Sequence, residues 1–270
     1  MNNINFINDI LDFLKEAGAI ALVYRENLTA SIKQDTSIVT NADKDISKLF
    51  KRKLKKYTDS GKHRILDEED LPNNIDDLFD DKTEFIWTID PIDGTTMYYY
   101  DFPLWAIAVG LYKNKEPYIG AIYLPITKEI VYTDSENSYL VRNCFETNES
   151  KEILVSKPQK LTNKSVILQH KFCNFKKEYT IIDLYTCYIM GFYTLVGRSI
   201  GSFFNENAKL WDISAIIPIA KNLGLTFKNI ATGQEMMTLD GKNLNKDWSI
   251  GGIYLLSRRD MFDKVVEVVG

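Results

Sequence analysis

Apolar positions in the first sixty residues recur at steps of three and four. Phe6, Ile7, Ile10, Leu14, Ala17, Ala21 and Tyr24 mark one face of an amphipathic helix over 4–26. Ile46, Leu49, Phe50, Leu54 and Tyr57 mark a second over 42–57, with Thr40 or Asn41 placed to cap it. The intervening Lys48, Lys51, Arg52, Lys53, Lys55 and Lys56 read as its solvated face. The pattern then changes to short apolar runs at 63–66, 85–90, 104–112, 117–124, 129–133 and 138–142, which predict strands. Leu104 to Leu111 is apolar almost throughout, as in a strand covered on both faces, and Lys113-Asn114-Lys115-Glu116 reads as a hairpin turn. Beyond it the spacing predicts a strand (165–169), a helix (183–196), a strand (199–204), a helix (212–223), strands (225–229 and 248–256) and a last helix (258–268). Helices, then a long run of strands, then alternation make a mixed α/β (α+β) chain with helices layered on sheets. The polar, turn-rich stretch 132–150 suggests one domain of two lobes, 1–145 and 146–270.

Composition narrows the class. The chain has 270 residues, 33 basic and 37 acidic, for a net charge of −4, with 45% apolar residues. This is ordinary globular composition and excludes a disordered tail or a disulfide-stapled toxin. A chain of this length buries roughly three quarters of its unfolded surface and needs no staple. Mild acidity argues against nucleic-acid polymers as partners. Cys144, Cys173 and Cys187 are odd in number with no C-x-x-C pair, so reduced thiols are expected. The start, Met1-Asn2-Asn3-Ile4-Asn5-Phe6, has no basic segment, and no apolar run nears the ~20 residues of a membrane span. A cytoplasmic protein without membrane attachment is the expectation.

Three acidic sites lie at the ends of apolar elements: Asp67-Glu68-Glu69-Asp70, Asp90-Pro91-Ile92-Asp93-Gly94-Thr95-Thr96, and Trp211-Asp212. Acids at the carboxyl ends of strands project into the crevice where α/β proteins bind ligands. Clustered carboxylates repel one another, and such a group makes sense if cations sit among it. All-oxygen donors suit Mg²⁺. Gly94-Thr95-Thr96 offers open backbone N–H groups and hydroxyls, a seat for phosphate if a helix starts there. Cations beside a phosphate seat point to metal-assisted phosphoryl chemistry. Each site alone also reads as an ordinary turn or helix cap.

Taken together, the segments resemble the inositol monophosphatase family of Mg²⁺-dependent, lithium-sensitive phosphomonoesterases. Trp87-Thr88-Ile89-Asp90-Pro91-Ile92-Asp93-Gly94-Thr95-Thr96 resembles its signature, and Ser37-Ile38-Val39-Thr40-Asn41-Ala42-Asp43, Ile65 to Asp70, and Trp211-Asp212-Ile213-Ser214-Ala215 resemble three further segments in order. The resemblance implies a layered α-β-α-β-α sandwich of the inositol monophosphatase/fructose-1,6-bisphosphatase type, commonly a homodimer. It assigns a metal- and phosphate-binding role to 1–145 and a substrate-determining role to 146–270. It implies two or three Mg²⁺ ions: Glu68, Asp90 and the Ile92 carbonyl on the first, Asp90, Asp93 and Asp212 on the second. Glu68 and Thr95 would activate the attacking water, with Asp43 behind Thr95. Gly94 and Thr95 would hold phosphate through backbone N–H groups. Glu69 and Lys33 would stand just behind the site.

The chain also departs from the family pattern. Met97-Tyr98-Tyr99-Tyr100 follows Thr96 where Asn-Phe is usual, and Ile200 falls at the usual aspartate of a G-x-x-D-A-Y segment read onto Gly197 to Ser202. Reading Arg198 to Ser202 instead as the family's earlier R-x-x-G-S would require deletion of a helix. The wall that reads the substrate is therefore altered while the acids remain. The expected substrate is a small polyol or sugar phosphate. Alternatives with the same chemistry are a 3′-phosphoadenosine nucleotide, histidinol phosphate and fructose bisphosphate. A non-catalytic phosphate-ligand or partner-binding protein on the same fold is the alternative of another class. His63 and His170 read as ordinary surface or strand residues.

Overall fold

Helix α1 (Phe6–Tyr24) buries Ile10, Leu14, Ala17 and Ala21 along one stripe, as its spacing requires. Strands β1 (Ala30–Ile32) and β2 (Ile38–Thr40) pair antiparallel and lead into α2 (Asn41–Thr58). The structure is a computed structural model describing residues 6–32, 38–72, 74–170, 179–236, 238–239 and 244–269. Thr40 is the N-cap of α2 in a reciprocal box with Asp43. The Thr40 N–H donates to Asp43 Oδ2 (2.9 Å) and the Asp43 N–H to Thr40 Oγ1 (3.4 Å).

The next strands build one sheet. They are β3 (His63–Asp67), β4 (Phe85–Asp93), β5 (Ala106–Lys113), β6 (Glu116–Leu124), β7 (Glu129–Thr133), β8 (Ser138–Arg142) and β9 (Ser150–Leu154), ordered as numbered. Short helices α3 (Ile75–Leu78) and α4 (Thr95–Tyr99) flank β4. The β3–β4 pair is parallel and the others are antiparallel. Side chains alternate across the sheet. Phe85, Trp87 and Ile89 pack against α1 and α2, while Ile86 faces the opposite layer, as does Thr88, which bonds Ser214 there.

A second sheet, in the order β11-β10-β12-β14-β13, contains β10 (Val166–Gln169), β11 (Thr180–Asp183), β12 (Gly201–Phe204), β13 (Leu225–Asn229) and β14 (Tyr254–Arg258). Between the sheets lie α5 (Cys187–Leu195), α6 (Leu210–Ile213) and α7 (Ile216–Asn222), and α8 (Phe262–Val266) covers the outer face of the second sheet. The layering is thus α-β-α-β-α, as the family resemblance implies. The middle layer sits close: a Cβ on Gly120 would stand 2.2 Å from the Ala215 carbonyl oxygen.

Several elements differ from those expected. The first sheet continues to Leu154, past the lobe boundary expected near 145, because β9 adds to β8 as an exposed edge. The helix expected from 183 begins at Cys187, and Thr180–Asp183 is a strand. The helix expected over 212–223 is two short helices, α6 and α7. Of the strand expected over 248–256, only the part from Tyr254 is ladder. Trp248 and Ile250 are buried outside that ladder, flanking an isolated Lys209–Ser249 bridge in which the Leu210 N–H donates to the Trp248 carbonyl (2.9 Å) and the Ile250 N–H to the Ala208 carbonyl (3.0 Å). Arg198, just after α5, reaches across to the first sheet and forks onto Glu129 of β7 at 2.5 and 3.2 Å.

Candidate active site

The acids of the motifs come together where β3 and β4 end. The β4 ladder shifts register between Asp90 and Asp93, and Pro91, which has no N–H to give a ladder, sits inside the irregularity. Asp90 shares the parity of Thr88 and so points towards the middle helical layer. Gly94 follows in the left-handed region (φ +82°) as the N-cap of α4. A Cβ there would lie 2.2 Å from Thr186 Cγ2 and 2.9 Å from the Leu104 carbonyl oxygen, so glycine is required by both space and backbone. The Thr95 hydroxyl donates to the Ile92 carbonyl (2.9 Å).

Asp93 is held by the start of α5, its carboxylate accepting from the N–H groups of Cys187 (3.2 Å) and Tyr188 (2.6 Å). Asp212 lies in the first turn of α6, where its Oδ2 accepts the Lys209 N–H (2.7 Å). A buried network fixes α6 and α7 against β4 and β5. Thr88 Oγ1 and Ser214 Oγ lie 2.6 Å apart, the Tyr112 hydroxyl donates to the Ser214 carbonyl (2.8 Å), and the Tyr188 hydroxyl donates to the Trp211 carbonyl.

Burial dominates the electrostatics. Asp43, Asp90 and Asp93 are all buried. Burial pushes the Asp43 carboxyl up to about 7, against the Thr40 bonds that hold it down, and Glu68 and Glu69 add repulsion. Asp93 is likewise raised to about 7 by burial, opposed by its helix N–H partners. Asp90 is raised well above the usual carboxylate range, first by burial and then by Glu68, Asp93, Asp212 and Asp43. Asp212 is raised by burial and by Asp93. Each acid thus feels others from different segments of the chain. The structure gathers Asp43, Glu68, Asp90, Asp93 and Asp212 into one electrostatic cluster.

Among the described residues, no three acid, imidazole or thiol side chains already form a closed cage for a metal ion. Asp93 and Asp212 are turned to backbone N–H donors, the orientation that uncompensated carboxylates favour. The donor set still fits a hard cation. It is all oxygen, and Asp90 Oδ1 and Asp43 Oδ1 are buried with no hydrogen-bond partner. The Ile92 carbonyl keeps a lone pair beyond the one used by Thr95.

Of the other expected residues, Glu69 follows Glu68 in the turn after β3, and Lys33 lies outside the described residues. Ile200 does not line the acids. It is buried with Met261, Phe262 and Val265 on the outer face of the second sheet, and α5 is retained before it, so the reading that deleted a helix does not hold. His63 is structural: its Nδ1 accepts from Trp87 Nε1 (2.9 Å) and its ring stacks on Phe85. Sequence reasoning missed Thr186, Cys187 and Tyr188 beside Asp93, because their run carries no polar motif. A cavity of about 400 Å³ between β9 and the end of α5, lined by Leu140, Arg142, Leu154, Gln159, Leu195 and Arg258, contains none of the acids.

The profile described as "Inositol monophosphatase family" matches residues 8–255. Inositol monophosphatase 1 of Saccharomyces cerevisiae is 29% identical over 228 residues, covering 77% of this chain and 75% of the yeast protein. Inositol-1-monophosphatase of Bacillus subtilis is 34% identical over 154 residues, covering 56% of this chain and 54% of that one. Among solved structures, an IMPase from Thermotoga maritima superposes with a TM-score of 0.77 at 20% identity, covering 98% of this chain and 96% of that one. An IMPase/NADP phosphatase described as complexed with Mg²⁺ and phosphate superposes with a TM-score of 0.75 at 18% identity, covering 96% and 92%. At such identities the two structures establish the fold, and the profile spanning almost the whole chain establishes descent. The chain belongs to the inositol monophosphatase family, and with it to the phosphoric monoester hydrolases.

Proposed function

We propose that the protein is a Mg²⁺-dependent phosphomonoesterase that hydrolyses a small polyol or sugar phosphate by two-metal activation of water. The observation that carries this reading is the buried cluster of Asp43, Asp90 and Asp93, with Asp90 Oδ1 unpartnered. Glu68, Asp90 and the Ile92 carbonyl would hold one ion, and Asp90, Asp93 and Asp212 a second. Bound ions lower the pKa of water and balance the charge of phosphate and leaving oxygen. The chain's own groups do the rest. Thr95 Oγ1 has its proton committed to the Ile92 carbonyl, which leaves a lone pair to accept a hydrogen bond from the attacking water and orient it, while the Glu68 carboxylate would take the water's proton. Asp43, bonded to Thr40, fixes the start of α2 behind that group. Gly94 and Thr95 present N–H groups to the phosphate without an intervening side chain. No histidine is needed, which fits a chain with His63 and His170 alone.

Asp93→Asn tests the reading: Mg²⁺-dependent turnover should fall by about 100-fold or more, on the scale of losing one charge-stabilising group. Unchanged turnover would sink the assignment. A panel of inositol 1-phosphate, fructose bisphosphate, histidinol phosphate and 3′-phosphoadenosine nucleotides, compared by kcat/KM, identifies the substrate. A nucleotide leaving group is the second reading. Tyr99 and Tyr100 stand exposed just past the Gly94–Thr95 seat, and an aromatic face there suits a base. A homodimer, lithium inhibition and a cytoplasmic location complete the proposal. Exposed Ile153 and Val155, on and just past the edge strand β9, supply apolar surface for an interface, and buried, unpaired Cys144 and Cys187 suit a reducing compartment.

A further inference from the structure

Asp67 ends β3 immediately before Glu68 and is fully buried, yet its carboxylate does not belong to the acid cluster. Its partners come from α2 and from its own turn. Ser47 Oγ donates to Oδ2, Lys51 Nζ lies 3.2 Å from Oδ2, and the Glu69 N–H donates to Oδ1 (3.0 Å). Lys51 also grips Asp70 at 2.6 Å, and the Asp70 N–H closes the turn onto the Asp67 carbonyl (3.1 Å). On the other side, the Glu68 N–H reaches the Ile89 carbonyl of β4 at 3.5 Å. The turn carrying Glu68 and Glu69 is therefore tied both to α2 and to the strand that carries Asp90.

The α2 residues involved form a row. Asp43, Ser47 and Lys51 are spaced four apart, on one side of the helix. The same row that sets Asp43 behind the site pins the Glu68 turn one and two helical turns further on. A buried ion pair adds little net stability over an apolar replacement, because desolvation offsets the attraction. A buried aspartate with three donors, next to an acid cluster that gains nothing from another negative charge, is better explained by the geometry it enforces.

We propose that Asp67, clamped by Ser47 and Lys51, is a positioning residue that fixes Glu68 relative to Asp90 and so sets the site's affinity for its divalent cation. The inference rests on the proposed role of Glu68 and deepens it. Asp67 touches neither water nor phosphate; it acts through the turn.

The test uses the full chain with Lys51→Met, Lys51→Arg, Asp67→Asn and, as a control, Glu68→Gln. Mg²⁺ binding is read by titration calorimetry, the Glu69 and Asp70 amides by hydrogen exchange, and turnover with p-nitrophenyl phosphate. Lys51→Met keeps the aliphatic stem and removes the cation from a partly exposed position, so it should fold. Expected for Lys51→Met and Asp67→Asn are a Mg²⁺ affinity lower by about 10-fold or more, the scale of lost outer-shell support, and faster exchange at both amides. The half-saturating Mg²⁺ concentration should rise, while KM at saturating Mg²⁺ stays constant, and Lys51→Arg should restore most of the loss. Wild-type Mg²⁺ affinity and amide protection in Lys51→Met and Asp67→Asn, beside a Glu68→Gln variant that has lost both binding and turnover, would overturn the positioning role alone. A Glu68→Gln variant that binds Mg²⁺ and turns over normally would overturn the proposed site itself.

Discussion

Gly94 shows how one residue can be fixed by two demands at once. Its left-handed backbone disfavours any side chain, and a methyl group there would collide with Thr186 and with the Leu104 carbonyl. Gly94→Ala should therefore cost at least ~1–2 kcal/mol in urea unfolding, the backbone penalty alone, and lower turnover by displacing the Thr95 N–H. A stability equal to wild type would show that the loop relaxes freely. At this scale the acids were legible in the sequence, because Asp90, Asp93 and Asp212 sit in motifs. Their partners were not. The amides of Cys187 and Tyr188 that hold Asp93 carry no side-chain signature, and Ile200, placed at a substrate wall by register, faces α8.

Among the elements, helices with a buried stripe were read almost to the residue. The expected 4–26 and 42–57 correspond to Phe6–Tyr24 and Asn41–Thr58. Edge strands were not read, and the reason is physical. β9 and β11 are mostly exposed, so burial leaves no alternation in their sequences. The converse error is Trp248 and Ile250, which plug the core on either side of a single bridge and not from a strand. Helix α2 carries more than packing, since its cap also contains Asp43. Thr40→Ala should cost about 1–2 kcal/mol, as for other strong N-caps, and lower Tm by a few degrees. Turnover should fall further than stability explains, because Asp43 loses the hydroxyl that accompanies its backbone bond. A thermal melt and a kcat measured well below Tm separate the two effects.

For the whole molecule, helices layered on sheets were legible in the order of helical and strand periods, and the five-layer stacking was legible only through the family resemblance. The lobe boundary was not, since the sheet runs on into a polar strand. The acid cluster also has a global consequence. Without metal, the folded chain holds protons on Asp43 and Asp93 up to about pH 7, whereas the unfolded chain releases them near 4. The native state therefore binds more protons between those limits, and stability falls as pH rises from about 4 through 7. With EDTA, Tm should be higher at pH 5.5 than at pH 8. Saturating Mg²⁺ should reverse the trend, because the ion competes with protons for the same oxygens. Parallel pH profiles with and without Mg²⁺ would contradict a shared site.

The order of the strands carries a kinetic consequence. From β4 to β9 the first sheet is a meander in which each strand pairs with the next, so its contacts close over short loops. Asp90 and Asp93 lie on β4 itself and Asp43 and Glu68 precede it in the chain, whereas Asp212 joins them only when α6 docks onto the finished β4. Short-range contacts form early and long-range ones late. The share of the carboxylate repulsion that involves Asp212 is thus expected late, when most of the chain is committed. Mg²⁺ should accordingly leave the refolding rate nearly unchanged and slow unfolding, which stopped-flow chevrons with and without the ion can measure. The order of the chain thus leaves the last acid of the cluster to arrive after the sheet that receives it.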